Sequence, residues 1–185
     1  MKKTFLFVLF AAGVLVSHAQ LNFGVKAGLN MADITGKDVY DYRSKAGIYV
    51  GGFASLDLTE KLSAKAEMFY SVQGARWDDD NEKTMLNYVQ IPVLLKYNIA
   101  SGFYAEAGPQ VGFLLKAKDN NEGDVYSIKE FVKKNDVSLV IGAGYAINER
   151  IGVNTRYNAG LVKFYDEEKN SVFQLGVTYT FARRK

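Results

Sequence analysis

Val172-Phe173-Gln174-Leu175-Gly176-Val177-Thr178-Tyr179-Thr180-Phe181 alternates without a break. Phe173, Leu175, Val177, Tyr179 and Phe181 fall on one face of an extended strand, and Gln174, Gly176, Thr178 and Thr180 on the other. One face is apolar, while the other is polar but carries no charge. A sheet with one face in bulk water usually places Lys, Glu and Arg there. A polar face of only Gln, Gly and Thr suits a narrow, crowded lumen. The stretch therefore predicts a barrel stave with hydrocarbon outside, and Tyr179 and Phe181 belong at the membrane interface.

The same alternation recurs upstream. Seven further strands are predicted, at about 23–29, 47–58, 62–73, 89–97, 103–113, 137–147 and 151–160. The facing of the second is the least defined, since Tyr49 and Phe53 share the face that also carries Gly51, Ser55 and Asp57. Tight turns are expected at Thr59-Glu60, at Asn98 to Gly102 and at Asn148-Glu149-Arg150. Longer polar connections are expected at Ala32 to Lys45, Arg76 to Lys83, Lys116 to Lys134 and Lys163 to Asn170. Connections that alternate long and short across eight strands, each near the roughly 9 to 11 residues that cross a bilayer, predict an all-β fold. The expected architecture is an eight-stranded antiparallel up-and-down transmembrane β-barrel. Pro92 and Pro109, the only two prolines, fall inside adjacent strands at nearly one height, which predicts a shared bulge or a broken ladder there. Gly108, Gly112, Gly142 and Gly144 on the polar face leave room for bulky neighbours in a narrow barrel.

Residues 1–19 read as a secretory signal: Lys2 and Lys3, an apolar run from Phe5 to Val16, then Ser17-His18-Ala19. That run is too short to span a bilayer as a helix. Residues 20–185 would form the single barrel domain, exported to the outer membrane of a Gram-negative envelope. Without the leader lysines the 23 basic and 20 acidic residues are almost balanced, so nucleic acid is not an expected partner.

The chain has no cysteine, and its one histidine, His18, lies in the leader. Ser-His-Asp, Cys-His and His-metal chemistry are therefore not expected, and the protein reads as non-enzymatic and without a cofactor. Lys26, Lys65, Glu67, Lys96, Glu106 and Arg156 all fall on the polar face. They form either an ion path or a mutually neutralising plug. Eight strands enclose space only for side chains, which favours the plug, with Lys65/Glu67 and Lys96/Glu106 as its pairs. Asp78, Asp79, Asp80 and Glu82 resemble a solvated acidic loop more than a calcium site, since their order does not fit an EF-hand. The acidic run from Asp119 to Asp124 does not fit one either. Trp77, Tyr88, Tyr97, Tyr157 and Tyr179 are assigned to interfacial girdles rather than to a sugar-stacking platform. Tyr40 and Tyr42 are candidate loop contacts for a partner.

Phe23-Gly24-Val25-Lys26-Ala27-Gly28-Leu29-Asn30, Tyr88-Val89-Gln90-Ile91-Pro92-Val93-Leu94-Leu95-Lys96-Tyr97 and Glu106-Ala107-Gly108-Pro109-Gln110 resemble the outer-membrane β-barrel family of Bacteroidetes, also called porin-family or PorT-like. The resemblance covers essentially the whole chain after the leader and implies the fold rather than an activity. It implies contact with outer-membrane lipid and lipopolysaccharide, insertion by the barrel assembly machinery, and an envelope or surface partner at the external loops. Phe173, Tyr179 and Phe181 would form the insertion signal, although Ala182-Arg183-Arg184-Lys185 follows them where many such proteins end on the aromatic residue. The function expected is membrane structure, adhesion or partner binding around a filled lumen. The alternatives are a low-conductance porin-like channel, a PorT-like secretion-associated barrel, and a periplasmic lipocalin-like barrel with the facing reversed.

Overall fold

The computed structural model describes residues 21–35, 42–77, 83–121, 124–127, 135–165 and 168–182. The expected leader, the acidic residues 78–82, Tyr40 and the tail after Ala182 lie outside these. Nine strands run in chain order: β1 Leu21–Thr35, β2 Tyr42–Asp57, β3 Leu62–Trp77, β4 Lys83–Ala100, β5 Phe103–Asn121, β6 Asp124–Ser127, β7 Asn135–Ala146, β8 Ile151–Tyr165 and β9 Glu168–Ala182. Sequential neighbours pair antiparallel except β6 and β7, β7 pairing with β5 instead, and β1 pairs with β9. The sheet is thus a closed barrel of eight staves, which leaves no free edge along its wall. The short β6 is the exception, folding back on the end of β5 with Lys118 opposite Ser127 and Asn121 opposite Asp124.

Facing follows the alternation. On β1 the side chains of Leu21, Phe23, Val25, Leu29 and Met31 are exposed, while Asn22, Lys26 and Asn30 are buried. On β9, Phe173, Leu175, Val177, Tyr179 and Phe181 point out and Gln174 and Thr178 point in. The reversed, lipocalin-like facing is therefore wrong. A continuous apolar exterior around a polar interior is stable only where hydrocarbon surrounds it. β2 takes the same sense, with Ile48 and Val50 outside and Tyr49 and Phe53 inside.

Several expectations are corrected. The staves are 12 to 19 residues long, not near 10, because the strands carry on pairing beyond the apolar band. Thr35 still lies opposite Lys169, Arg43 opposite Arg76 and Lys83 opposite Asn120. Most of what reads as long polar loops is protruding hairpin, since a polar stretch costs a strand nothing where both faces meet water. At the other end, where β1 begins and β9 finishes, the turns 58–61, 101–102 and 147–150 are tight. Thr59 Oγ1 accepts from the Leu62 amide and Asn148 Oδ1 from the Ile151 amide. Ser101 and Gly102 adopt φ of 40° and 90°, the two positive values that a two-residue type I′ hairpin needs.

Pro92 and Pro109 do sit side by side, with Pro92 opposite Gln110. The β4–β5 pairing then skips to Leu95–Ala107 in the same register, so the ladder is interrupted but not bulged. The register shifts of this pair lie at Asn87/Tyr88 and Asn98/Ala100 instead. Proline removes a donor without adding a residue, so nothing forces the register to move.

Candidate functional site

The interior of the barrel is layered along its axis. Midway, three basic side chains from β1, β3 and β8 converge on two carboxylates from β3 and β5. Glu67 accepts from Lys26 Nζ at 2.6 Å, and from Arg156 at 2.6 and 2.7 Å through both terminal guanidinium nitrogens. Lys65 Nζ lies 2.8 Å from Glu67 and 3.8 Å from Glu106. Arg156 Nε donates to Glu106 at 2.5 Å. The Arg156–Glu67 contact is bidentate, the strong geometry for a guanidinium and a carboxylate. All five side chains are almost fully buried.

Alternation puts these residues inside, and register brings them to one height. Glu106 lies opposite Gly142, which lies opposite Arg156, which lies opposite Gln174. The glycine between the two charged residues is required: a Cβ at Gly142 would meet Arg156 Cγ at 2.7 Å and Glu106 Cγ at 3.4 Å. The lumenal aromatic rings use glycine in the same way. Tyr49 lies over Gly28 and Gly176, Phe53 over Gly24 and Tyr104 over Gly144, while Gly51 leaves room for the Cα and Cβ of the paired Phe69. These rings also face the cations, with Lys26 Nζ 4.4 Å from the Phe69 centroid and 4.9 Å from that of Tyr49. The alternation shows such aromatics to be lumenal, but it does not show that each covers a glycine on a neighbouring stave.

Lys96 stands apart from the five. Its backbone is opposite Glu106, yet its ammonium lies 4.2 Å from the Tyr104 centroid, and Glu106 makes its bond to Arg156. The expected Lys65/Glu67 pair is present inside the larger cluster.

Beyond the cluster, toward the hairpin end, amides fill the lumen. Asn30 donates to Ser71 at 2.9 Å, Gln174 to Asn30 at 3.1 Å and Gln110 to Ser138 at 3.0 Å. Leu86, Tyr88, Leu114 and Ala117 then close the β4–β5 side with an apolar cluster. Tyr88 is 1% exposed, so it is not a girdle residue as expected. It shares the inward parity of Gln90 and Leu94.

On the side of the tight turns the lumen opens into a cavity of about 440 Å³, lined among others by Asp57, Ser63, Lys65, Lys96, Tyr104 and Arg150. Of the cluster, Lys65 lines its floor.

Outside, Phe23, Tyr97, Phe103, Tyr145, Tyr179 and Phe181 are exposed near the turn end, and Tyr70, Phe113, Tyr157 and Phe173 nearer the hairpins. Tyr179 meets Phe181 edge-on at 5.9 Å between centroids. Phe173 to Phe181 is roughly 27 Å of strand, which at a tilt near 40° covers roughly 20 Å of membrane. The Trp77 side chain lies outside the described residues. No cluster of three or more His, Cys, Asp or Glu suited to a metal occurs among the described residues.

No curated protein sequence matches the chain. Among solved structures it is similar to Neisserial surface protein A, with a TM-score of 0.62 at 13% identity over 86% of this chain and 97% of that one. It is also similar to Ail, the attachment invasion locus protein of Yersinia pestis, with a TM-score of 0.54 at 17% identity over 86% of this chain and 98% of that one. At these identities the likeness concerns the fold. The sequence model of the outer membrane protein β-barrel domain matches residues 17–166, most of the chain, and the protein belongs to that family.

Proposed function

We propose that this outer-membrane barrel is a non-enzymatic, non-conducting protein that works through its protruding hairpins. It would serve in membrane structure, adhesion or the binding of an envelope partner. The observation that carries this reading is the buried cluster of Lys26, Lys65, Glu67, Glu106 and Arg156, which joins four staves across the lumen. An ion crossing the barrel would have to part contacts of 2.5 to 2.8 Å between buried side chains. The amide layer and the apolar cluster behind it add two further obstructions. A low-conductance channel would need the turn-side cavity to continue past this floor.

Export by the residue 1–19 leader, insertion by the barrel assembly machinery through Phe173, Tyr179 and Phe181, and contact of the hairpins with lipopolysaccharide fit the same reading. A secretion-associated role of the PorT-like kind would also act through the hairpins. Planar-bilayer recording on the refolded protein is the test. A flat baseline at 100 mV or so, set against the energy of roughly 2.3 kcal/mol per charge that this voltage supplies, supports the closed lumen. Discrete steps that change with Glu106→Gln would replace it with a channel.

A further inference from the structure

The ladder along β4 is interrupted on both edges at one height. On the β3 side it passes from Ala66–Val93 to Phe69–Gln90 with no pair for Glu67 and Met68. On the β5 side it passes from Pro92–Gln110 to Leu95–Ala107 with no pair for Gly108 and Pro109. The register is the same before and after each gap, so Pro92 faces Glu67 and Pro109 faces Val93. Each proline keeps its pairing on its other edge, Pro92 with Gln110 and Pro109 with Leu139. The N–H that each lacks is therefore the one owed across the gap, to the carbonyl of Glu67 and to that of Val93.

The side chains at the two gaps offer no substitute donor. Glu67, Pro92 and Leu94 point into the lumen, Gly108 contributes no side chain, and Met68, Ile91, Val93 and Pro109 face outward. Glu67 is an acceptor, already engaged with Lys26, Lys65 and Arg156, and the others carry no polar group. Hydrocarbon lies outside, because Val93 is midway between Tyr97 and Val89, whose β5 partner is the exposed Phe113. Lipid supplies no hydrogen bond to a carbonyl that has lost its own. The other interruptions of the described ladders lie nearer the ends of the staves, as between Ser44 and Tyr49 on β2 and beyond Ala159 on β8. At the β2 break the lumenal amide of Asn30 donates to the carbonyls of Val72 at 3.0 Å and Ile48 at 3.4 Å. The β1–β9 ladder, in contrast, pairs without a gap from Gly24–Thr180 to Thr35–Lys169. Local opening is easiest where the fewest bonds have to part.

We propose that the middle of β4 is a seam built into the wall, and that residues 91–94 part locally from β3 and β5 ahead of the rest of the barrel. The two prolines give a closed sheet one place to yield without unzipping. The seam belongs to the wall and stands whether or not the hairpins bind a partner.

The experiment is amide hydrogen exchange read by NMR on the full chain refolded in zwitterionic micelles. The amides of Glu67 and Val93, directly across from the prolines, are expected to exchange about tenfold faster or more than those of Val25 to Leu29 and Leu175 to Tyr179 in the unbroken ladder. Pro109→Val returns a donor to the Val93 carbonyl, and because Pro109 faces outward it leaves the lumenal packing alone. It is expected to slow exchange at Val93 about fivefold to tenfold, the worth of one net hydrogen bond, with the β1–β9 amides unchanged. Pro92→Val is the second variant and is expected to slow exchange at Glu67 in the same way. Slower exchange in either variant supports the seam. Equal exchange in the two regions of the unsubstituted protein, or exchange unchanged in both variants when the barrels fold, would overturn it.

Discussion

Arg156 is the residue on which the interior turns, because its guanidinium donates three hydrogen bonds that join Glu67 and Glu106. Arg156→Met leaves those carboxylates buried with only lysine partners and is expected to destabilise the barrel by about 3–5 kcal/mol. The urea midpoint of the protein folded into lipid vesicles reads this out. A loss under about 1 kcal/mol would mean that Lys26 and Lys65 alone hold the carboxylates. The lumenal glycines are constrained as tightly as the charges. A Cβ at Gly144 would enter the Tyr104 ring and hydroxyl, so Gly144→Val is expected to cost about 1–3 kcal/mol by overpacking. Gly52→Ala, whose nearest neighbour would be the Gly24 carbonyl oxygen at 3.5 Å, is the matched control and should be close to neutral.

At the scale of the element, a stave is a strand with a hydrocarbon zone and a water zone. Val177 lies midway between Phe173 and Phe181 on β9, and Leu161 lies four residues beyond Tyr157 on β8. Both are exposed, at 51% and 57%, so burial within the protein does not distinguish them. Depth in the membrane does. Val177→Arg is expected to cost about 2–4 kcal/mol and Leu161→Arg about 0–1 kcal/mol. Equal costs for the two would place the apolar band elsewhere along the staves. This scale also shows what the alternation reveals and what it hides. The facing of β9 could be read from its residues, whereas that of β2 was settled by the fold, which buries Tyr49 and Phe53. The extent of the strands could not be read either, because beyond the interface a polar residue is equally at home in a loop and in a hairpin. Tyr88 was misplaced for a related reason: tyrosine suits an interface and a lumen equally, and only its parity with Gln90 and Leu94 separates them.

For the whole molecule, closure is the decisive event. β1 has to find β9, and β4 has to find β5, before either wall is free of an exposed edge. The cluster is assembled only at that moment, since Arg156 and Glu67 are 89 residues apart in the chain. Closure and burial of the charges are therefore expected to be one cooperative step. On a detergent gel the unboiled protein should migrate faster than the boiled one, and Arg156→Met should lower the temperature at which the fast band disappears. A fast band that survives unchanged in Arg156→Met would uncouple closure from the cluster.

The sequence by itself determined the facing of the staves other than β2, their antiparallel order and the charged residues Lys26, Lys65, Glu67, Lys96, Glu106 and Arg156 of the lumen. All of these follow from a period of two and from turn chemistry, which are local. Tertiary structure alone decided the partners. Register between distant staves gave Glu106 to Arg156 rather than to Lys96 and placed aromatic rings over glycines of neighbouring strands. It also added β6 and carried the strands past the bilayer. The physical reason is that a strand's hydrogen bonds and a buried charge's counter-ion both come from another part of the chain, and alternation along one strand carries no record of which part.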